Sequence, residues 1–250
     1  MLSLMPPLTL YAATSNPGKL AEFQSAALAE GVAIEALPNL NQIPEPIEDA
    51  PSFQGNADLK AIAYSLAAPG LLVFADDSGL EVPALNNQPG VRSARFADDY
   101  PAEHSEVPVI STEAAHANSA ASTAAAPQNS VISTGAQRSG KTPVFPAPRD
   151  HRNNALLLHL MEHQPSRAAR FVCNLSLARD GKVLLRAEGY AEGDLLRTPR
   201  GVDGFGYDPL FLVPSLNLTF AEIPREQKWE LSHRGNAFRA LLAQIPAARL

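Results

Sequence analysis

Apolar residues recur along this chain in two periods, and the places where the period changes mark its elements. Leu8–Ala13 predicts a short strand, and Ser15, Asn16, Pro17 and Gly18 turn it into a helix with Leu20, Phe23 and Leu28 on one face and Gly31 as its stop. Val32–Leu37 predicts a second strand. Ser52 then caps a helix on which Leu59, Ile62 and Leu66 share a face, ended by Pro69-Gly70. The run Leu71–Leu80, LLVFADDSGL, reads as a buried central strand that delivers Asp76, Asp77 and Ser78 to its C-terminal edge. Open α/β sheets carry their chemistry at such edges. Asn86-Asn87 and Pro89-Gly90 follow as turns. Patterning resumes at Asp150, a predicted N-cap for a helix with Leu156, Leu157, Leu160 and Met161 as its stripe. Phe171, Cys173, Leu175 and Leu177 alternate with more polar residues, and Asp180-Gly181 turns the chain into a strand over Lys182–Ala187. A final helix, Glu226–Gln244, carries Trp229, Phe238, Leu241 and Leu242. The expected fold is therefore α/β: a mixed twisted sheet with flanking helices, in two lobes around a central cleft.

From His104 to Arg149 the pattern lapses into Ala, Ser, Thr and Pro, too few large apolar groups to offset the entropy of ordering. We expect a single two-lobed domain over 1–250 with a flexible, low-complexity insertion at 104–149. Within it Gly135–Thr142, GAQRSGKT, fits the phosphate-loop pattern letter for letter. Pro143, Pro146 and Pro148 exclude the helix that such a loop needs, so no working phosphate loop is expected there.

Composition narrows the field. With 45% hydrophobic residues in 250, a substantial core is available, and a net charge of −6 argues against broad nucleic-acid binding. The one cysteine, Cys173, falls in an alternating apolar run, so a core role in a reducing, cytoplasmic compartment is expected. The start, MLSLMPPLTL, has no basic region and is broken by Pro6 and Pro7, unlike a signal peptide, and no apolar run approaches membrane-spanning length.

The candidate chemistry begins with Asp76 and Asp77. Adjacent carboxylates in a cleft repel unless a cation lies between them or one stays protonated, which implies a divalent metal, a base with a raised pKa, or both. The plainer reading is a solvated turn before Gly79. Lys19 at a helix start suits phosphate, or is a surface lysine after an ordinary turn. Glu45, Glu48 and Asp49 lie in an acidic loop that can supply a metal ligand. Arg92 and Arg95 face a phosphate or pair with local acids. In Gly201–Phe211, GVDGFGYDPLF, the glycines permit close backbone approach, Phe205 and Tyr207 offer flat faces to a base or seal core, and Asp208 accepts from a base edge or ties down the loop. Lys228, Ser232, His233 and Arg234 cluster near the start of the last helix and suit an anion or a purine edge.

TSNPGK at 14–19, FADDSGLEV at 74–82, PGVRSARF at 89–96, GFGYDPLF at 204–211 and the K-x-x-x-SHR arrangement at 228–234 together resemble the inosine triphosphate pyrophosphatase family. The resemblance spans nearly the whole chain outside 104–149. It implies hydrolysis of the noncanonical purine nucleoside triphosphates ITP, dITP and XTP to the monophosphate and pyrophosphate, in a nucleotide-binding cleft, with Mg2+ as cofactor and in a cytoplasmic homodimer. By motif, Thr14, Ser15, Asn16, Pro17, Gly18 and Lys19 contact the triphosphate, Asp77 is the catalytic base and a metal ligand, and Ser78 is a substrate contact. Glu48 matches the family's loop glutamate by its spacing to Phe53, with Glu45 and Asp49 as alternatives. Phe205, Gly206, Tyr207 and Asp208 form one wall of the base pocket, and Lys228, His233 and Arg234 the other. The chain departs from the family at 104–149 and at Ala97-Asp98-Asp99, where a glycine is usual, which puts the local backbone path and any role for Arg95 in question. The competing expectations are a pyrophosphatase of different base preference and a nucleotide-binding module that does not turn over.

Overall fold

The computed structural model describes residues 8–29, 32–100 and 148–248. Gly31, Gly135–Thr142 and all of the expected insertion except Pro148 and Arg149 lie outside them. In chain order the strands are β1 (Thr9–Ala12), β2 (Ala33–Ala36), β3 (Val73–Val82), β4 (Gln88–Pro89), β5 (Ala168–Arg179), β6 (Lys182–Leu195), β7 (Phe211–Val213) and β8 (Leu218–Thr219). The helices are α1 (Pro17–Ala29), α2 (Phe53–Ala67), α3 (Arg149–Leu160), α4 (Arg225–Leu231), α5 (His233–Leu242) and α6 (Ile245–Ala248). Among the described residues the eight strands make one mixed sheet, β2-β1-β3-β5-β6-β7-β8, with β4 on β3. β1 runs parallel to β2 and β3, and every other pairing is antiparallel. None of the described helices is long and apolar enough to cross a membrane.

The site depends on one gap in this sheet. β5 pairs with β3 all the way from Val73 to Glu81. Along the other edge of β3, β1 reaches only Val73 and Phe74, and β4 joins only at Glu81 and Val82. Ala75–Leu80 is therefore an edge that no described strand covers. This corrects the expected end of the strand at the carboxylates: a partner as long as β5 holds β3 extended through them, and Asp76 and Asp77 lie mid-strand beside the gap.

Strand alternation sorts the core onto two faces. Phe74, Cys173, Leu175 and Leu177 pack with Phe23 of α1 and with Trp229, Phe238 and Leu241 of α4 and α5. Farther along the same face, Leu80 and Phe171 join Leu157, Met161, Phe211 and Phe220. On the opposite face Ala61 of α2 meets Ala75 and Ala178, and Tyr64 meets Val73 and Leu37. Small residues let the α2 backbone approach the sheet, so the predicted leucine stripe is corrected: Leu59 and Leu66 are 39% and 60% exposed. On α1, Phe23 is fully buried as expected, while the Leu28 side chain is outside the described residues.

Three other expectations change. The helix predicted from Asp150 starts at Arg149 after Pro148, which leaves the Asp150 carboxylate free to accept from the Gly206 N–H at 2.7 Å. The strand predicted over Lys182–Ala187 continues to Leu195, because β5 offers partners as far as Ala168. The single final helix is two. Ser232 adopts extended geometry (φ −78°, ψ 154°), ends α4, and caps α5 by accepting from the Gly235 N–H at 3.1 Å. The Asn86-Asn87 and Asp180-Gly181 turns form as expected, all four residues at positive φ.

Candidate active site

Because neighbouring residues of a strand point to opposite faces, Asp76 and Asp77 do not form a pair around a shared cation, as their adjacency suggests. Asp76 faces α1 and α5. Lys19 Nζ lies 2.8 Å from its Oδ2, the Ser78 hydroxyl donates to the same oxygen at 3.2 Å, and Arg234 Nη2 donates to Ser78 Oγ at 3.1 Å. Asp76 is fully desolvated, which alone would raise its pKa, but Lys19, Arg234 and Lys60 outweigh that and hold it far below the usual carboxylate range. Asp77 faces α2. Asn56 Nδ2 donates to its Oδ2 at 3.0 Å, and Lys60 Nζ sits 3.4 Å from its Oδ1 and 3.0 Å from Glu48 Oε2. Burial pushes Asp77 up to about 6, against the pull of Lys60 and Asn56. One strand thus presents a permanent anion on one face and a carboxylate with a near-neutral pKa on the other.

A cavity of about 950 Å³ opens at the gap in β3 and reaches both faces. Thr14, Ser15, Asn16 and Lys19 line it beside Glu45, Glu48 and Lys60. Asn16 Oδ1 accepts from the Gly18 and Lys19 N–H groups at 2.9 and 3.2 Å, so the side chain caps α1, with Pro17 as its first residue. Asp49 is exposed. Arg95 pairs with Asp99 at 2.8 Å and Arg92 is exposed away from this cavity, the local pairing that the sequence left open for the former. At Ala97, where the expected glycine is missing, Asn153 Oδ1 accepts the backbone N–H at 2.8 Å, while its amide donates to the Ala94 and Ser93 carbonyls at 3.1 and 3.3 Å.

The other end of the cavity is aromatic and rich in donors. Phe205, Gly206, Asp208, His233 and Arg234 line it. The Arg234 guanidinium lies 4.8 Å from the Phe205 ring centroid, and its Nε has no hydrogen-bond partner among the described residues. His233 is buried, stacked on Phe171 at 4.7 Å with 11° between the rings, and neither ring nitrogen has a partner there. Burial, with Arg234, Lys228 and Lys19 nearby, drives its pKa well below the usual value, so the imidazole is neutral. Tyr207 also lines the cavity, but its hydroxyl donates to the Ser93 carbonyl at 2.9 Å and anchors the ring in core. Lys228 stands behind this wall: its Nζ is 2.7 Å from Asp208 Oδ2 and 5.5 Å from the Phe205 ring, and Asp208 also accepts from the Phe205 N–H at 2.8 Å.

Asn56 and Lys60 are the site residues that the sequence reading missed. Their i, i+4 spacing puts them on one face of α2, interleaved with the Ala57 and Ala61 that face the sheet. Polar groups set among sheet-facing alanines were the available signal. Cys173, fully buried with its thiol pKa raised by burial, is the core residue that its setting implied.

The acidic end fits a divalent cation. Glu48 and Asp77 already share one positive charge, the Lys60 ammonium, and offer hard carboxylate oxygens of the kind magnesium takes. The described residues contain no group of three or more His, Cys, Asp or Glu side chains arranged to hold a metal. Two protein carboxylates suit magnesium, which keeps several waters and takes phosphate oxygens as further ligands.

Carboxylates and lysines at one end of a cavity, with an aromatic, donor-bearing wall at the other, are the equipment of a nucleotide hydrolase. The Ham1 family model matches residues 10–143 and 136–244. A dITP/XTP pyrophosphatase of Acidobacterium capsulatum is 45% identical over 96% of this chain and 98% of its own, and one of an Exiguobacterium species is 38% identical over 95% and 97%. The structure of a HAM1 protein from Coxiella burnetii superposes with a TM-score of 0.68 at 29% identity, covering 96% of this chain and 99% of the other. The chain belongs to the Ham1 family.

Proposed function

We propose that this protein hydrolyses noncanonical purine nucleoside triphosphates, ITP, dITP and XTP, to the nucleoside monophosphate and pyrophosphate, and so clears them from the nucleotide pool. One observation carries the reading: a single cavity joins the Glu48–Lys60 pair, whose lysine also pairs with Asp77, to the wall of Phe205, His233 and Arg234. The name borne by the Acidobacterium and Exiguobacterium relatives supports it.

The triphosphate lies along the gap in β3, its charge met by Lys19 and Lys60. Thr14, Ser15 and Asn16 flank it, and Ser78 holds it from the strand. Glu48 and Asp77 are the residues that would hold Mg2+, which when bound supplies charge neutralisation and polarises a phosphoryl oxygen. An ionised Asp77 carboxylate oxygen takes the proton of the water that attacks, and the bridge between the α and β phosphates breaks, with the electron pair leaving on pyrophosphate. Phe205 stacks on the purine. The unpartnered Arg234 Nε–H and the neutral His233 imidazole read its edge. A 6-keto oxygen satisfies such donors, whereas the amino group of adenine leaves them unpaired, which costs affinity. Lys228 holds this wall in place through Asp208. We further read the protein as a two-lobed cytoplasmic homodimer. The face of β3, β5 and β6 that α2 leaves uncovered, with Glu81, Arg170, Glu188 and Tyr190, is the contact we assign. Sedimentation as a monomer at micromolar concentration overturns that assignment.

The functional test is pyrophosphate release from ITP, XTP, ATP and GTP with and without magnesium. Selective, magnesium-dependent release from ITP and XTP is expected, lost in Asp77→Asn. Equal rates on ATP, or near-normal turnover by a folded Asp77→Asn variant, would refute the reading.

A further inference from the structure

We infer that Asn56 is a positioning residue that couples the acidic loop to Asp77 and sets the spacing of the two carboxylates toward a divalent cation. The inference rests on the function proposed above and assigns a role to a residue that the sequence motifs did not include. Asn56 is 1% exposed, and its amide is spent on protein partners rather than on substrate. Both ends of its amide are committed. Nδ2 donates to Asp77 Oδ2 at 3.0 Å, and Oδ1 accepts from the Ala50 N–H at 2.9 Å.

Each bond restrains one half of the cation site. Residues 44–50 have no regular secondary structure, and Ile47 within them is 78% exposed, so Glu48 has no strand or helix of its own to fix it. The loop is tied to the first turns of α2 by the Ala50–Asn56 bond, by the Glu48–Lys60 pair and by close packing at Gly55, where an added methyl carbon would lie 2.7 Å from the Ala50 Cβ. On the side of β3, Asn56 engages Oδ2 of Asp77 and leaves Oδ1 turned toward Lys60 and Glu48. One rigid amide spanning the loop and the strand therefore decides both where Glu48 stands and which oxygen of Asp77 it faces. Groups that orient metal-binding carboxylates in this way typically alter metal affinity or activity 10–100-fold when removed.

Asn56→Ala removes both bonds, and Asn56→Ser keeps a small polar group at the position should the alanine variant fold poorly. Ser52→Ala is the control. It deletes the N-cap of the same helix, whose hydroxyl accepts from the Gly55 N–H at 3.1 Å, and its side chain hydrogen-bonds to neither Asp77 nor Ala50. Magnesium titration of the nucleotide-free protein by calorimetry, steady-state kinetics on ITP and thermal unfolding are measured together. Both Asn56 variants are expected to bind magnesium about tenfold or more weakly and to lose about tenfold or more in kcat, with KM for ITP within about threefold of the parent. Ser52→Ala is expected to lower the melting temperature while leaving magnesium affinity and kcat within about twofold. Folded Asn56 variants that match the parent in both quantities, or a Ser52→Ala variant that loses as much, overturn the inference. A parent protein that releases no pyrophosphate from ITP would instead overturn the proposed function.

Discussion

The Lys228–Asp208 pair allows a worked prediction, because both partners are almost dry: the side chains are 9% and 5% exposed at a separation of 2.7 Å. Replacing Lys228 with Met keeps the volume and the contacts with Phe205 and Phe220 but leaves the Asp208 carboxylate buried, with the Phe205 N–H still donating to it. Removing one partner of a buried pair costs about 3–5 kcal/mol, since the other charge is stranded. For a chain of this size each kcal/mol lowers the melting temperature by about 2–4 °C, so a fall of roughly 6–20 °C is expected. The double variant Lys228→Met/Asp208→Asn strands no charge and is expected to recover to within about 2 kcal/mol of the parent, because neutral replacement of a buried pair is often tolerated. Urea unfolding of the parent, both single variants and the double gives the coupling directly. A Lys228→Met variant within about 1 kcal/mol of the parent would show that water reaches the pair, and the account of it as a dry support behind Phe205 would be wrong.

Asp77 has a stability signature of its own in the metal-free protein. Its folded pKa, about 6, lies above the reference 3.8, so the folded chain holds that proton more tightly than the unfolded one. The resulting stabilisation is complete below about pH 4 and disappears as pH rises through about 6. Relative to Asp77→Asn, the parent is expected to lose about 2–3 kcal/mol between pH 4 and pH 7, read from urea titrations in chelator, and a flat difference would contradict it. Magnesium affinity is expected to fall about tenfold per pH unit below 6, as the proton competes for Asp77; calorimetry at pH 5 and pH 7 checks this. Gly189 of β6 leaves no room for a side chain against the Ala237 N and His233 O of α5. Gly189→Ala is expected to displace α5, cost about 1–3 kcal/mol and raise KM for ITP, because α5 carries His233 and Arg234. Unchanged melting and unchanged KM would mean that α5 has slack.

Much of this was legible in the sequence, and what was missed has a physical pattern. Phe23 and Phe238 announced themselves as core by periodicity and Phe74 by its place in an apolar run, and Asn86-Asn87 and Asp180-Gly181 as turns by their tolerance of positive φ. The leucines of α2 misled because apolarity marks what can be buried, whereas the face actually chosen was the one whose small side chains let helix and sheet approach. Asn56 and Lys60 were hidden for the same reason: a helix that packs through alanines offers little hydrophobic stripe from which to locate its functional face. The break at Ser232 was unreadable from apolar spacing alone, since Trp229 and Phe238 remain in contact across it, with ring centroids 6.0 Å apart. The serine before His233 was nevertheless a cap signal in plain view.

The alternation of β3 also governs how this site tolerates change in chain length. Its two carboxylates are assigned to opposite chemistries by odd and even position alone, not by any difference between the side chains. A single residue inserted or deleted between Val73 and Asp76, with Val73 still paired to Ala178, would exchange them: a carboxylate meant for Lys19 and Arg234 would turn to Asn56 and Lys60, and its neighbour the reverse. Where the change falls directly after Val73, Phe74 and Ala75 face the same reversal, with a phenyl ring driven into the alanine-lined contact with α2. Length variation along this strand is therefore confined to even steps.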